Sequence, residues 1–145
     1  MTWYELDHSR LVLEYLRVLR KNPCCVLNRG SNSILYWTGE VRIEVGRIKP
    51  DTLVYRVEYP EDFPASYPDV FVVEPELPIE EVGHTWHRWP RRGNICYVPP
   101  GHWQVGTTAD EIISKLEDWY FNYIAFKNDL IEAMPDTGPA DLLEV

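Results

Sequence analysis

The chain has 145 residues, 45% of them hydrophobic, and a formal net charge of −9. That size sets an expectation of one domain with one core, and the acidic balance argues against general nucleic-acid binding, which needs a basic surface. No apolar run reaches the roughly 20 residues that span a bilayer, and the opening Met1 to Asp7 lacks the basic flank and apolar run of a signal peptide.

Three cysteines, two of them adjacent (Cys24 and Cys25), make no disulfide framework. Free thiols in a reducing cytoplasm are expected.

Residues 3 to 21 read as one helix that Pro23 ends. Asp7, Arg10, Glu14, Arg17 and Lys21 share a polar face by their three-four spacing, and Leu11, Val12, Tyr15, Leu16, Val18 and Leu19 form the apolar side. The basic cluster on this helix is either a solvated face or a docking face for a partner.

Strand signals follow. Cys24 to Leu27 is short and apolar, and Asn28 to Ser33 is a turn cluster. Leu35, Trp37, Gly39, Val41, Ile43 and Val45 share a parity, as do Leu53, Tyr55 and Val57; Val70 to Val73 is a fourth short run. Four closely spaced strands without intervening helices predict an antiparallel meander. Tyr59-Pro60, Phe63-Pro64 and Tyr67-Pro68 lie before the fourth strand, and three such steps predict an extended connection.

Thr108-Ala-Asp-Glu111 fits a capping box, and Ile112, Leu116, Trp119, Tyr120, Tyr123, Ile124, Leu130 and Ile131 recur at helical spacing until Pro135. The fold class is therefore α+β, with an N-terminal helix packed on a four-stranded antiparallel meander, an irregular loop, then a long helix. Residues 1–135 form the domain, and 136–145 read as a flexible tail.

The loop from His84 to Trp103 holds three of the four histidines, three of the six tryptophans and Cys96. Irregular segments of this length are usually functional or disordered, and the aromatic content argues for order. Cys96 has several readings. Arg88, Arg91 and Arg92 make a basic patch beside it, and it can be a nucleophile whose thiolate is favoured by Arg91, Arg92 and the three histidines. His84, His87, Cys96 and His102 are residue types that zinc accepts, but their spacing fits no standard pattern, so no metal is expected. A Cys-His hydrolase also fits by residue type. The plainest reading is a small buried hydrophobe between Ile95 and Tyr97.

The order of elements and three motifs resemble the ubiquitin-conjugating enzymes, in particular their divergent prokaryotic branch. Phe63-Pro-Ala-Ser-Tyr67-Pro-Asp-Val resembles the Tyr-Pro motif that enters the fourth strand. Gly93-Asn-Ile-Cys96-Tyr resembles the active-site signature, and Trp103, Thr107-Thr108 and Ile112 resemble the run that opens the next helix. The resemblance covers roughly residues 3 to 130. Neither His84 nor His87 is followed by the family's Pro-Asn, and the C-terminal helices of eukaryotic members are missing.

The resemblance implies a transferase that carries a protein C-terminus as a thioester on Cys96 and passes it to an amine, without a cofactor. The carried protein would be ubiquitin-like or, as in anti-phage operons with cyclic-oligonucleotide signalling, the nucleotidyltransferase itself. Asn94, a histidine or a backbone amide would supply the missing asparagine's role, and His84, His87 or His102 would position the thioester or take the proton, His84 first because it opens the loop much as the family histidine does. Arg10, Arg17 and Lys21 lie where relatives dock an activating enzyme. The alternative is an inactive binding module of the same fold.

Overall fold

A computed structural model of the chain describes residues 1–136, 138–140 and 142. Its order is α1 (Trp3–Leu6), α2 (His8–Lys21), β1 (Val26–Arg29), β2 (Leu35–Ile43), β3 (Asp51–Glu58), β4 (Asp69–Glu74) and α3 (Ala109–Lys127). The strands form one antiparallel sheet in the order β1-β2-β3-β4, so the predicted meander and α+β class hold. The parity argument also holds: Leu35, Trp37, Ile43, Leu53, Tyr55 and Val57 are buried, against Ile112, Ile113, Leu116 and Tyr120 of α3. Gly39 on the same parity leaves space that its neighbours fill. A Cβ there would stand 2.5 Å from the Tyr55 hydroxyl and 2.8 Å from the Cys25 sulfur. Cys25 is buried and Cys24 exposed, so one of the pair faces the core as their apolar run suggests.

Four details differ from the sequence reading. The first helix is two. Asp7 ends α1 and caps α2, its Oδ1 accepting from the Arg10 amide at 3.0 Å, and that side chain replaces a turn of continuous helix. The first strand starts two residues later than expected, at Val26, because a turn closed by the Cys25 amide on the Asn22 carbonyl follows the helix. The proline segment is not extended. Phe63 N–H to Pro60 O (3.1 Å) and Ala65 N–H to Asp62 O (2.8 Å) fold it into turns that bury Phe63 beneath Trp3 and Tyr59. The last helix stops at Lys127 rather than Pro135. Asp129 takes φ 58°, and the Asp129 and Leu130 amides turn back to Phe126 O and Ala125 O, the bonding of a Schellman stop with aspartate in the usual glycine place. The flexible-tail reading falls partly on Thr137, Asp141 and 143–145, which lie outside the described residues; Gly138 O and Ala140 N–H are held by the Asn122 amide.

The fifth difference is the largest. α2 buries Glu14 from its polar face beside Val18 and leaves Val12, Leu13, Tyr15 and Leu16 of its apolar side exposed. Glu14 is buried, accepting from the Tyr59 hydroxyl (2.7 Å) and the Ala109 amide (2.9 Å) that opens α3. A carboxylate at a helix N-terminus satisfies an orphan N–H and complements its partial positive charge. Arg10 reaches the carbonyls of Val105 (2.6 Å) and Thr107 (2.9 Å), Arg17 lies 3.6 Å from Asp110, and Lys21 donates to Ser114 at 2.7 Å. These three cations reach across the α2–α3 junction, and Arg17 and Lys21 stay exposed there. No helix among the described residues is long and apolar enough to cross a membrane.

Burial keeps the Glu14 carboxyl above its usual range against the opposing pull of Tyr59, Ala109 and Arg10. The Tyr59 hydroxyl also accepts from the Trp37 indole N–H at 2.8 Å. Tyr59→Phe leaves that buried donor and one carboxylate oxygen short of partners, so it should cost about 2–3 kcal/mol in urea unfolding. An unchanged midpoint would show that water replaces the hydroxyl.

Candidate functional site

The loop that carries Cys96 is built on one arginine. Arg88 is buried, 7% exposed, and its backbone bridges Gly83 on one side and Ile95 on the other. Its side chain donates to three carbonyls: Gly93 at 3.0 Å, Pro78 at 3.1 Å and Glu81 at 2.7 Å. The planar guanidinium can serve several acceptors in one geometry, which a point charge cannot. Gly93 makes room for it: φ is +71°, and a Cβ would stand 2.6 Å from Arg88 Nη2.

The loop is then pinned to the sheet. The Ile95 amide donates to Val70 O of β4 at 2.9 Å and the Cys96 amide to His87 O at 2.8 Å. Tyr97 and Trp103 donate to the carbonyls of Pro68 (2.6 Å) and Pro64 (2.8 Å), so the proline turns supply acceptors for the loop's aromatics. Trp86 sits on Tyr123 and Phe126 of α3, and Trp119 donates to its carbonyl at 3.0 Å.

Cys96 is thereby held outside the sheet, at a groove of ≈ 540 Å³. Trp89-Pro90 and Val98-Pro99-Pro100 line it, together with Gly83, His84 and His87. The two imidazoles meet edge to face, 5.3 Å between centroids. His87 is in the left-handed region (φ 52°), and its Nε2 lies 3.3 Å from Met134 O. A carbonyl only accepts, so a hydrogen bond there takes its hydrogen from Nε2.

Of the predicted residues, Cys96, His84 and His87 share the groove. His102 is exposed and Asn94 is buried with its amide donating to Asp69 at 3.3 Å; neither lines the groove. The predicted cationic field is not there. Arg88 is spent on carbonyls, and Arg92 pairs with Asp69 (2.9 Å) and Glu58 (3.6 Å). Burial alone pushes the Cys96 thiol up to about 11. Among the described residues no three His, Cys, Asp or Glu side chains are grouped to hold a metal ion.

Sequence reasoning missed the floor of the site. A second, smaller recess links Cys96 and His87 to Lys115, Asp118, Trp119 and Asn122 of α3 and to Asp136. Burial raises the Asp118 carboxyl, and Lys115 opposes that shift. The available signal was a polar stripe, Lys115, Asp118 and Asn122, at helical spacing beside the aromatic stripe of that helix.

No family model and no curated protein matches the chain. Among solved structures, the UEV domain of yeast Vps23, in complex with a Vps27 PSDP peptide, is similar with a TM-score of 0.54 and 13% identity, covering 93% of this chain and 85% of that one. At that identity the likeness concerns the fold: the chain has the architecture shared by ubiquitin-conjugating enzymes and their UEV variants.

Proposed function

We propose that the chain is a cysteine-dependent protein-conjugating transferase, carrying a partner's C-terminal carboxyl as a thioester on Cys96 and passing it to an amine. One observation carries the reading: the thiol of an ordered, pinned loop opens onto a groove walled by Trp89-Pro90 and Pro99-Pro100, a shape suited to an extended chain terminus. In the first step the Cys96 sulfur attacks an already activated carboxyl, a C–S bond forms, the activating group leaves and the thiol proton is lost. In the second, an amine attacks the thioester carbonyl, the C–S bond breaks and the amine's proton is taken up. In this proposal His87 or Asp118, which line a recess with Cys96, takes up those protons. Positioning is the larger contribution, because the groove and the pinned loop turn an encounter into a local reaction.

The cargo in this proposal is the C-terminus of a cyclic-oligonucleotide synthase, or of a ubiquitin-like protein, in bacterial anti-phage defence within the cytoplasm. The family resemblance of Gly93 to Tyr97 supports it. An activating enzyme would dock at Arg10, Arg17 and Lys21, of which Arg17 and Lys21 are exposed beside the start of α3. A second reading, a peptide-binding module without chemistry, is favoured by the uncompensated burial of the thiol and by the peptide held by the yeast UEV domain.

The two part in one experiment. The protein is incubated with an activating partner and candidate cargo, and products are resolved without reducing agent. Transfer predicts a higher-mass product that thiol removes, absent in Cys96→Ala and replaced in Cys96→Ser by a thiol-resistant ester or nothing. A thiol-sensitive product that survives Cys96→Ala rules out Cys96 as the carrier. Cargo binding of equal strength in the wild type and Cys96→Ala, with no covalent product under conditions where the activating partner charges itself, establishes the binding module.

A further inference from the structure

The chain that follows α3 comes back across the site. Met134 is buried. Pro135, Asp136 and Gly138 wall the recess that joins Cys96 to α3, and Asp136 also lines the larger groove. Two side chains hold this segment. His87 Nε2 lies 3.3 Å from Met134 O and 3.7 Å from the Asp136 carboxylate. Asn122, 3% exposed, donates from Nδ2 to Gly138 O at 2.9 Å and accepts at Oδ1 from the Ala140 amide at 2.7 Å. Both ends of a buried amide are thus spent on the backbone of one segment, which is how such a group escapes the cost of burial without a partner.

The two approaches to Cys96 differ in size. The groove measures ≈ 540 Å³ and the recess ≈ 50 Å³. At about 30 Å³ each, the recess has room for a water or two and none for a lysine side chain.

We propose that this segment is a strap that closes the α3 side of Cys96, and that an acceptor amine enters only when the Asn122 clamp lets go. The groove stays open while the strap is shut, so a cargo terminus can be loaded first and its thioester kept from stray amines. This role in discharge rests on the transferase reading above; the shielding of Cys96 does not. Gly138 and Pro139 are exposed, and a segment that buries little apolar surface opens at low cost. Gating by such a segment excludes the wrong reactants and commits the right one.

Two variants of the full chain test the strap, with Cys24→Ser as background because Cys24 is exposed. Ala140→Pro removes the N–H that Asn122 accepts from and leaves α3 and the groove untouched. Asn122→Ala removes both hydrogen bonds. Melting temperatures serve as the folding control. In Asn122→Ala the Ala140 amide should exchange with solvent at least about tenfold faster, read by NMR. In both variants Cys96 should label several-fold faster with a neutral alkylating reagent at pH 7, because water reaches the sulfur from a second side. A thioester once formed should pass to free lysine several-fold faster in both, while the charging rate of Ala140→Pro stays that of the wild type. If no variant forms a thioester, the transferase reading fails, and exchange and labelling still decide the strap. An Ala140 amide that exchanges no faster without Asn122 overturns the clamp. Faster exchange with unchanged labelling shows that the segment does not shield Cys96 and overturns the proposal. Faster labelling with unchanged discharge to lysine overturns the gating of the acceptor.

Discussion

The labelling rate of Cys96 by a neutral alkylating reagent should climb about tenfold per pH unit from pH 7 to pH 10 and level off only near 11, a rise on the order of a thousandfold. The thiolate is the reactive species, and burial without a nearby cation holds the thiol up to about 11. The unfolded chain provides the comparison, with an ordinary thiol near 9. A thiol held near 11 instead of 9 carries about a hundredfold less thiolate at pH 7, while its more basic thiolate regains roughly eightfold in intrinsic nucleophilicity. The folded protein should therefore label roughly tenfold slower than the unfolded chain at neutral pH. Stability moves with the same equilibrium. The folded state favours the protonated thiol, so its advantage is complete below pH 9 and is lost as pH rises from 9 towards 11. Cys24→Ser removes the exposed competitor, and mass spectrometry assigns the site. A plateau below pH 8 would overturn the account, since it would require a cation at the thiol.

A thiol of this kind suits a carrier better than a hydrolase. A hydrolytic cysteine benefits from being ionised at rest by an adjacent base. Here the proton must leave during the reaction, and a half-buried thiol stays unreactive until an activated carboxyl arrives in the groove. In the proposed transfer, the groove's histidines and the Asp118 carboxylate would take up that proton, and the proline and aromatic walls would shield the thioester.

What the sequence revealed and what it hid divide along the range of the interactions. The meander was legible because alternation is local: Leu35 to Ile43 and Leu53 to Val57 declare their buried face residue by residue. The orientation of α2 was not. Periodicity finds an apolar side but not what the other side meets, and Glu14 turns inward because Tyr59 and Ala109, 45 and 95 positions away, satisfy it. The stop at Asp129 was hidden for a different reason, since aspartate enters the left-handed region far less readily than glycine. Around Cys96, residue type nominated three loop histidines, and the turn at His87 with the Arg88 ladder decides that two of them reach the groove. Asp118 and Lys115 come from a helix more than a dozen residues downstream, where helical spacing shows a shared polar stripe but not that it faces Cys96.

Arg88→Ala should cost about 3 kcal/mol of stability and loosen the whole loop. The sequence suggested a surface cation beside the thiol; the structure makes Arg88 its internal brace. Its side chain satisfies the carbonyls of Gly93, Pro78 and Glu81, and truncation leaves the buried Glu81 carbonyl and the half-buried other two without that donor. Hydrogen bonds from a charged donor contribute about 1.5–3 kcal/mol each. The total falls short of their sum because removing the guanidinium also relieves its own burial, which lowers its proton affinity. Arg88→Lys restores the charge but reaches fewer acceptors, so it should recover only part of the loss. The effect extends to α3, because Glu81 also takes hydrogen bonds from Tyr123 and, at 2.7 Å, from Lys127. Two measurements check this: the urea midpoint, and Cys96 labelling at pH 7 under conditions where Arg88→Ala remains folded. With the brace gone, Cys96 should become more hydrated, its thiol should fall towards the ordinary range, and labelling should accelerate towards the unfolded rate. Unchanged stability together with unchanged labelling would mean that the bridges at Gly83 and Ile95 hold the loop without the side chain.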